Sequence, residues 1–153
     1  MHPRPNPFAA APTLMQPMLD MEEAVKASPL DHGLIELVKL RVSQINGCAY
    51  CIHMHTHDAR AHGEREDRMH LLNAWRESPL YSDRERAALA WAEDLTRIDR
   101  TGAPDATYTA MTGHFDEVEQ VALTLLITTI NAWNRIAIGF ATPHPVEQEA
   151  SAT

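Results

Sequence analysis

The chain predicts an all-α fold, and three observations carry that reading. Its apolar residues recur at helical spacing in every patterned stretch. Alternating apolar and polar runs, and Asn-Gly turns between β-branched segments, do not occur. Two pairs, Ser82 with Glu85 and Asp116 with Glu119, have the spacing at which two side chains cap one another's backbone N–H at a helix start. At 153 residues the chain suits one domain with a core of its own.

The elements follow in order. Residues 1–15, rich in proline, read as a flexible arm. The first helix is expected over residues 16–27, ending before Pro29. The second spans residues 34–45, with Leu34, Leu37, Val38 and Ile45 on one side and Ile35 and Val42 widening the stripe. Gly47 then reads as a helix C-terminus free to take a left-handed conformation. The third helix starts at Cys48 or Ala49 and runs to His62, with Gly63 as its stop. Residues 66–75 form a short fourth helix. Ser82 opens a fifth, to Arg97, with Ala88, Trp91, Ala92 and Leu95 on its inner face. Pro104 suits the first turn of a sixth, closed by Gly113. The last helix runs from Asp116 to Ile138 or Phe140 and is apolar nearly all round. Such a helix needs cover on several sides, which points to a homo-oligomer. Pro143 and Pro145 end it, and the tail of residues 141–153 reads as disordered. The helical domain is therefore expected over residues 16–140.

Composition excludes several functions. A net charge of −8 repels phosphate backbones, so nucleic acid is not an expected partner. The apolar segment of residues 121–140 carries Asn131, Asn134 and Arg135, which argues against a membrane span. The start lacks the apolar run of a secretory signal, and only two cysteines occur, three apart. That is not the framework of a disulfide-stapled secreted domain. A cytoplasmic location is the expectation.

The two cysteines carry the chemistry. Cys48 and Cys51 sit at a helix start, where unpaired N–H groups and the helix dipole favour a thiolate. His55 lies one turn beyond Cys51 on the same face. The spacing lets the two sulfurs close a disulfide. One cysteine can be oxidised by a peroxide to a sulfenic acid, and the other can condense with it and release water. Glu36 flanks the apolar stripe of the preceding helix, and the Gly47 turn folds that helix back along the next. Partial burial there is expected to raise its pKa toward the range of an acid–base catalyst. Two alternatives stand beside this reading. The cysteines could be inert and buried. Cys48, Cys51 and His55, with Glu36 as a fourth ligand, could form a zinc-binding module. His53, His57 and His62 fall off the stripe and read as solvated or interface residues. Trp91 and Trp133 read as core or interface aromatics, and Asn131 and Arg135, four apart, as partners of one another or of a helix end.

Glu36, eleven residues, Cys48-x-x-Cys51, three residues and His55 together resemble the signature of the alkylhydroperoxidase AhpD-like proteins, within the carboxymuconolactone decarboxylase superfamily. The run Ile130-Asn131-Ala132-Trp133-Asn134-Arg135-Ile136-Ala137 is similar to the last helix of one branch of it. The resemblance implies an all-helical fold assembled as trimers or hexamers, and a thiol-dependent peroxidase with no organic cofactor. It implies that Cys51 attacks a hydroperoxide substrate, that Cys48 resolves the product, and that Glu36 and His55 relay protons. A lipoyl group, a thioredoxin-like protein or a small thiol would then restore the dithiol. The chain departs from the family at Tyr50, where the best-known members have histidine. A phenol is a poor base at neutral pH but can donate a hydrogen bond. The departure keeps open a redox-sensing or disulfide-exchange protein with little peroxidase turnover.

Overall fold

The computed structural model describes residues 4–146. Among them it is all helical: α1 Pro7–Ala10, α2 Pro12–Lys26, α3 His32–Asn46, α4 Ala49–Ala61, α5 Glu66–Leu71, a 3₁₀ turn Leu72–Ala74, α6 Asp83–Thr96, α7 Ile98–Thr101, α8 Asp105–Thr112 and α9 Glu117–Gly139. Both expected capping boxes are present, Ser82–Glu85 opening α6 and Asp116–Glu119 opening α9.

The N-terminal segment corrects the sequence reading. Residues 7–10 and 12–15 are helical, not a flexible arm, and α2 starts at Pro12 and not at residue 16. Asn6 accepts hydrogen bonds from the N–H of Phe8 and Ala9 at 2.9 and 3.3 Å, and Pro7 follows it in the first turn. Pro12 opens α2 in the same way. Proline at a helix start loses no hydrogen bond and has its φ preset, so the prolines that suggested flexibility mark two helix starts. At the other end, residues 141–146 have no regular structure but lie against the domain, with the His144 ring stacked on His53 at 5.5 Å. The rest of the expected disordered tail, residues 147–153, lies outside the described residues, as do residues 1–3 of the expected arm.

The central helix is α3. Every residue from Leu34 to Ser43 is buried, because α4, α6 and α9 pack around it. Val38, Val42, Ala88, Ala92, Leu123, Leu126, Ile127 and Ile130 fill the layer between α3, α6 and α9. Leu37, Leu40, Leu72, Trp75 and Leu89 fill a second layer on the other side of α3. The all-round burial expected for the last helix is thus found in α3. By length and composition α9 could span a membrane, but Leu123, Leu126, Ile127 and Ile130 make it a core helix. Its opposite face is open, with Val118 65% and Val121 60% exposed.

Burying α3 also buries its charges, and each is paired. Arg41 Nε donates to Glu93 Oε1 at 2.8 Å, and the Trp75 indole donates to the same oxygen at 2.9 Å. Burial pushes the Glu93 carboxyl up, yet Trp75, Arg76 and Arg41 together hold it below its ordinary value.

Candidate active site

The site is built on the turn between α3 and α4. Gly47 takes φ 69°, a left-handed conformation that suits glycine, and the Cys48 N–H donates back to Ser43 O at 3.1 Å. The chain therefore reverses, and α4 packs back along α3. A polar network ties this turn to α9. Asn46 Nδ2 donates to the side-chain oxygens of Asn131 and Asn134, at 3.0 and 2.8 Å, and Asn134 Nδ2 donates to Ser43 Oγ at 3.0 Å. Arg135 donates to the backbone and side-chain oxygens of Asn131, both at 2.9 Å, the mutual satisfaction expected from their spacing.

Cys48 is the N-cap of α4, one residue outside the helix, and its Sγ accepts the Cys51 N–H at 3.3 Å. Cys48 and Cys51 are joined in a disulfide, with their Cα atoms 5.3 Å apart. Both are buried, but only Cys51 lines the large cavity described below.

His55 lies one turn beyond Cys51, also buried. Its Nδ1 is 3.0 Å from Glu36 Oε2, so folding joins the two residues proposed as a relay. The other ring nitrogen, Nε2, is buried with no hydrogen-bond partner among the described residues, on a ring that lines the same cavity as Cys51. An ionised Glu36 accepts the Nδ1–H and leaves Nε2 as the free base.

Glu36 does not have the raised pKa expected from its sequence position. Burial pushes its carboxyl up, but the His55 hydrogen bond and charge, the Lys39 ammonium and His32 outweigh burial and hold it below the ordinary value. The sequence expectation counted burial and missed the cations. Lys39 stands 4.0 Å from Glu36 Oε1 and forms an ion pair with Glu22 of α2. Its position three residues after Glu36 was a usable signal. Glu22 gave none, since only folding brings α2 here.

Tyr50 lines the cavity, half-buried, and its hydroxyl bonds to no described residue. His53, His57 and His62 stay off the cavity wall. His53 stacks on His144, the His57 side chain is 75% exposed, and His62 stacks on His32 at 3.9 Å. Trp91 donates to Thr124 Oγ1 at 3.1 Å, whereas Trp133 forms part of the cavity wall.

The cavity has a volume of about 710 Å³. Phe8, Met54, Trp133, Ile136, Ala137 and Phe140 give it an apolar wall; Cys51, His55, Glu36, Asp58 and Lys39 are among its polar groups, with Tyr50, Glu22, Lys26 and Arg4 also on the lining. Phe8 of α1 stacks on Trp133 at 6.2 Å, and Arg4 donates to Gly139 O at 2.8 Å, so the N-terminal segment closes one side. Residues 141–143 close another. This size and lining suit a small organic molecule.

The residues nearest to a cation-holding arrangement are Glu36, His55 and Asp58, with ligand atoms within 4.8 Å of one another. Neither cysteine belongs to that group, and the Lys39 ammonium opposes a second positive charge beside Glu36. The cation-holding group among the described residues thus differs from the alternative Cys48–Cys51–His55–Glu36 zinc set.

The sequence profile of the carboxymuconolactone decarboxylase family matches residues 12–94. Protein YdfG of Bacillus subtilis is 46% identical over 138 residues, covering 90% of this chain and 94% of that one. A solved structure from Agrobacterium tumefaciens superposes with a TM-score of 0.92 at 44% identity, covering 95% of this chain and all of the other. That protein is described as of unknown function and assigned, without an established activity, to AhpD antioxidant defence. The AhpD core of a peroxidase-related protein from Ralstonia eutropha, 19% identical, shares the fold with a TM-score of 0.79, covering 92% of this chain and 75% of that one.

Proposed function

The chain belongs to the carboxymuconolactone decarboxylase family and to its AhpD-like members, and on that premise we propose that it is a thiol-dependent peroxidase for organic hydroperoxides. The observation that carries this reading is the shared wall. Cys51 and His55 face one apolar cavity, with Cys48 bonded to Cys51 from outside it.

The cycle begins with a proton transfer. His55 Nε2 takes the Cys51 proton, with Glu36 stabilising the imidazolium. The Cys51 thiolate attacks the terminal peroxide oxygen, the O–O bond breaks, and the alkoxide leaves as an alcohol with the proton returned by His55. Cys51 is then a sulfenic acid. The Cys48 thiol attacks its sulfur, forming the disulfide and releasing water. A dithiol reductant, either a lipoyl group or a thioredoxin-like protein, or two small thiols, returns two electrons and two protons. Tyr50 donates a hydrogen bond to a peroxide oxygen and accepts no proton.

Reduced protein treated with one equivalent of an organic hydroperoxide should lose two thiols and yield one alcohol. Alcohol formation without thiol loss would contradict the cycle. A second reading, a redox sensor or disulfide-exchange protein, is favoured by Tyr50, the cavity-wall residue where the best-known members have histidine. Rapid disulfide formation with negligible turnover under every class of reductant would support it.

The cycle needs a reducing compartment, which supports a cytoplasmic location. The open α9 face around Val118, Val121 and Leu125 supports a homo-oligomer, a trimer or a hexamer, as the working form.

A further inference from the structure

Behind the relay lies a buried cation that the cycle above does not use. Lys39 is only 2% exposed. Its ammonium pairs with Glu22 of α2 and stands 4.0 Å from Glu36 Oε1. Glu22 is held in turn by Trp133 of α9, whose Nε1 donates to Oε2 at 3.2 Å. One line of polar contacts thus runs Trp133, Glu22, Lys39, Glu36, His55 and joins four helices.

We infer that Lys39 is a positioning residue for the dithiol site: its charge keeps Glu36 ionised, and ionised Glu36 keeps His55 in the tautomer whose Nε2 can accept the Cys51 proton. The inference rests on the relay proposed above.

A buried ammonium is costly unless it is compensated, and here two carboxylates compensate it. With His55 neutral, Glu22, Lys39 and Glu36 sum to one negative charge. When His55 takes a proton, the four groups sum to zero, so the line is balanced in the state that holds a thiolate at Cys51. Without Lys39 no buried ammonium offsets the burial of Glu36, whether Glu22 is charged or not, and its carboxyl is driven to take a proton. Its O–H then donates to Nδ1 and the proton of neutral His55 moves to Nε2. That ring can no longer accept from a thiol.

No other group substitutes for Lys39. Lys26 of α2 is half-exposed and 4.0 Å from Glu22. Arg4 is engaged with backbone carbonyls at the end of α9. His32 acts on Glu36 more weakly than Lys39. Asp58 of α4, and Glu64 beside His62 on the far side of Glu36, can only add negative charge or, for His62, a stacked ring. From α9 the cavity receives no titratable side chain among the described residues. The low pKa direction of Glu36 agrees with this account.

The test is the His55 tautomer, read by long-range ¹H–¹⁵N correlation on reduced, ¹⁵N-labelled protein and assigned by its loss in His55→Gln. With His55 in its neutral form, wild type and Lys39→Arg should show a protonated Nδ1 and a free Nε2. In Lys39→Gln most of the proton should move to Nε2. Glu22→Gln should keep the wild-type pattern, because Lys39 then serves Glu36 alone. The double variant Lys39→Gln/Glu22→Gln removes both charges of the pair, leaves neither unpaired, and should behave as Lys39→Gln. A wild-type tautomer in the single or the double lysine variant would overturn the inference, as would an altered one in Glu22→Gln. None of these readouts involves peroxide. Absence of turnover in wild type would sink the peroxidase reading and leave this result intact, and an unchanged tautomer would do the reverse.

Discussion

His55 Nδ1 and Glu36 Oε2 meet at 3.0 Å in the interior, nineteen residues apart in sequence, because the Gly47 turn lays α4 back on α3. Glu36→Gln keeps the shape of this contact and removes its charge. The amide cannot stabilise an imidazolium, so peroxide turnover should fall about 100-fold, the scale of one acid–base partner. Circular dichroism should show an unchanged fold. A rate within twofold of wild type would remove Glu36 from the mechanism.

The two cysteines should behave differently when trapped. Only Cys51 lines the cavity, so Cys48→Ser should still react once with a hydroperoxide and hold a sulfenic acid at Cys51. A dimedone adduct, mapped by mass spectrometry, should appear on Cys51 in that variant. In Cys51→Ser no adduct should appear on Cys48. An adduct on Cys48 would exchange their roles.

Glu93 is a purely structural charge, and its removal should show in stability. Glu93→Gln leaves buried Arg41 without its carboxylate, at a cost of about 3–5 kcal/mol in denaturant unfolding at neutral pH. The pH dependence has a definite sign. The folded pKa of Glu93 lies below its unfolded value. Its stabilisation is therefore complete above the ordinary carboxylate range and is lost as pH falls through the folded value. The gap between wild type and Glu93→Gln should narrow toward acid. A gap that widens on acidification would contradict the pairing.

At Gly47 the conformation itself is the constraint. With φ 69° and nothing within 4 Å of the point a Cβ would occupy, alanine there meets strain but no clash. Gly47→Ala should cost about 1–2 kcal/mol by thermal or denaturant unfolding. An unchanged midpoint would mean that the left-handed turn does not need glycine.

Much of the site was legible because its parts are close in sequence. The Gly47 stop, the Cys48–Cys51–His55 stripe and the reversal that returns Glu36 are local matters of helix period and turn chemistry. The Asn131–Arg135 pairing followed from four-residue spacing. What stayed hidden needed distant contacts. Lys39 gains its partner Glu22 from seventeen residues earlier on another helix, and its ammonium, after the His55 hydrogen bond and charge, helps reverse the expected pKa direction of Glu36. Phe8 and Trp133 meet only in the fold, so the N-terminal segment read as an arm and not as a cavity wall. The all-round burial assigned to α9 belonged to α3, where Glu36, Lys39 and Arg41 interrupt the apolar pattern and are buried with it.

The central claim is that Cys51 and Cys48 form a peroxide-reducing dithiol. Its most direct measurement is the steady-state reduction of an organic hydroperoxide with excess dithiol, for wild type, Cys48→Ser and Cys51→Ser at one protein concentration. The account predicts turnover in wild type, loss to background in Cys51→Ser, and strong impairment in Cys48→Ser, where no internal disulfide can form. Equal rates in all three proteins would contradict it.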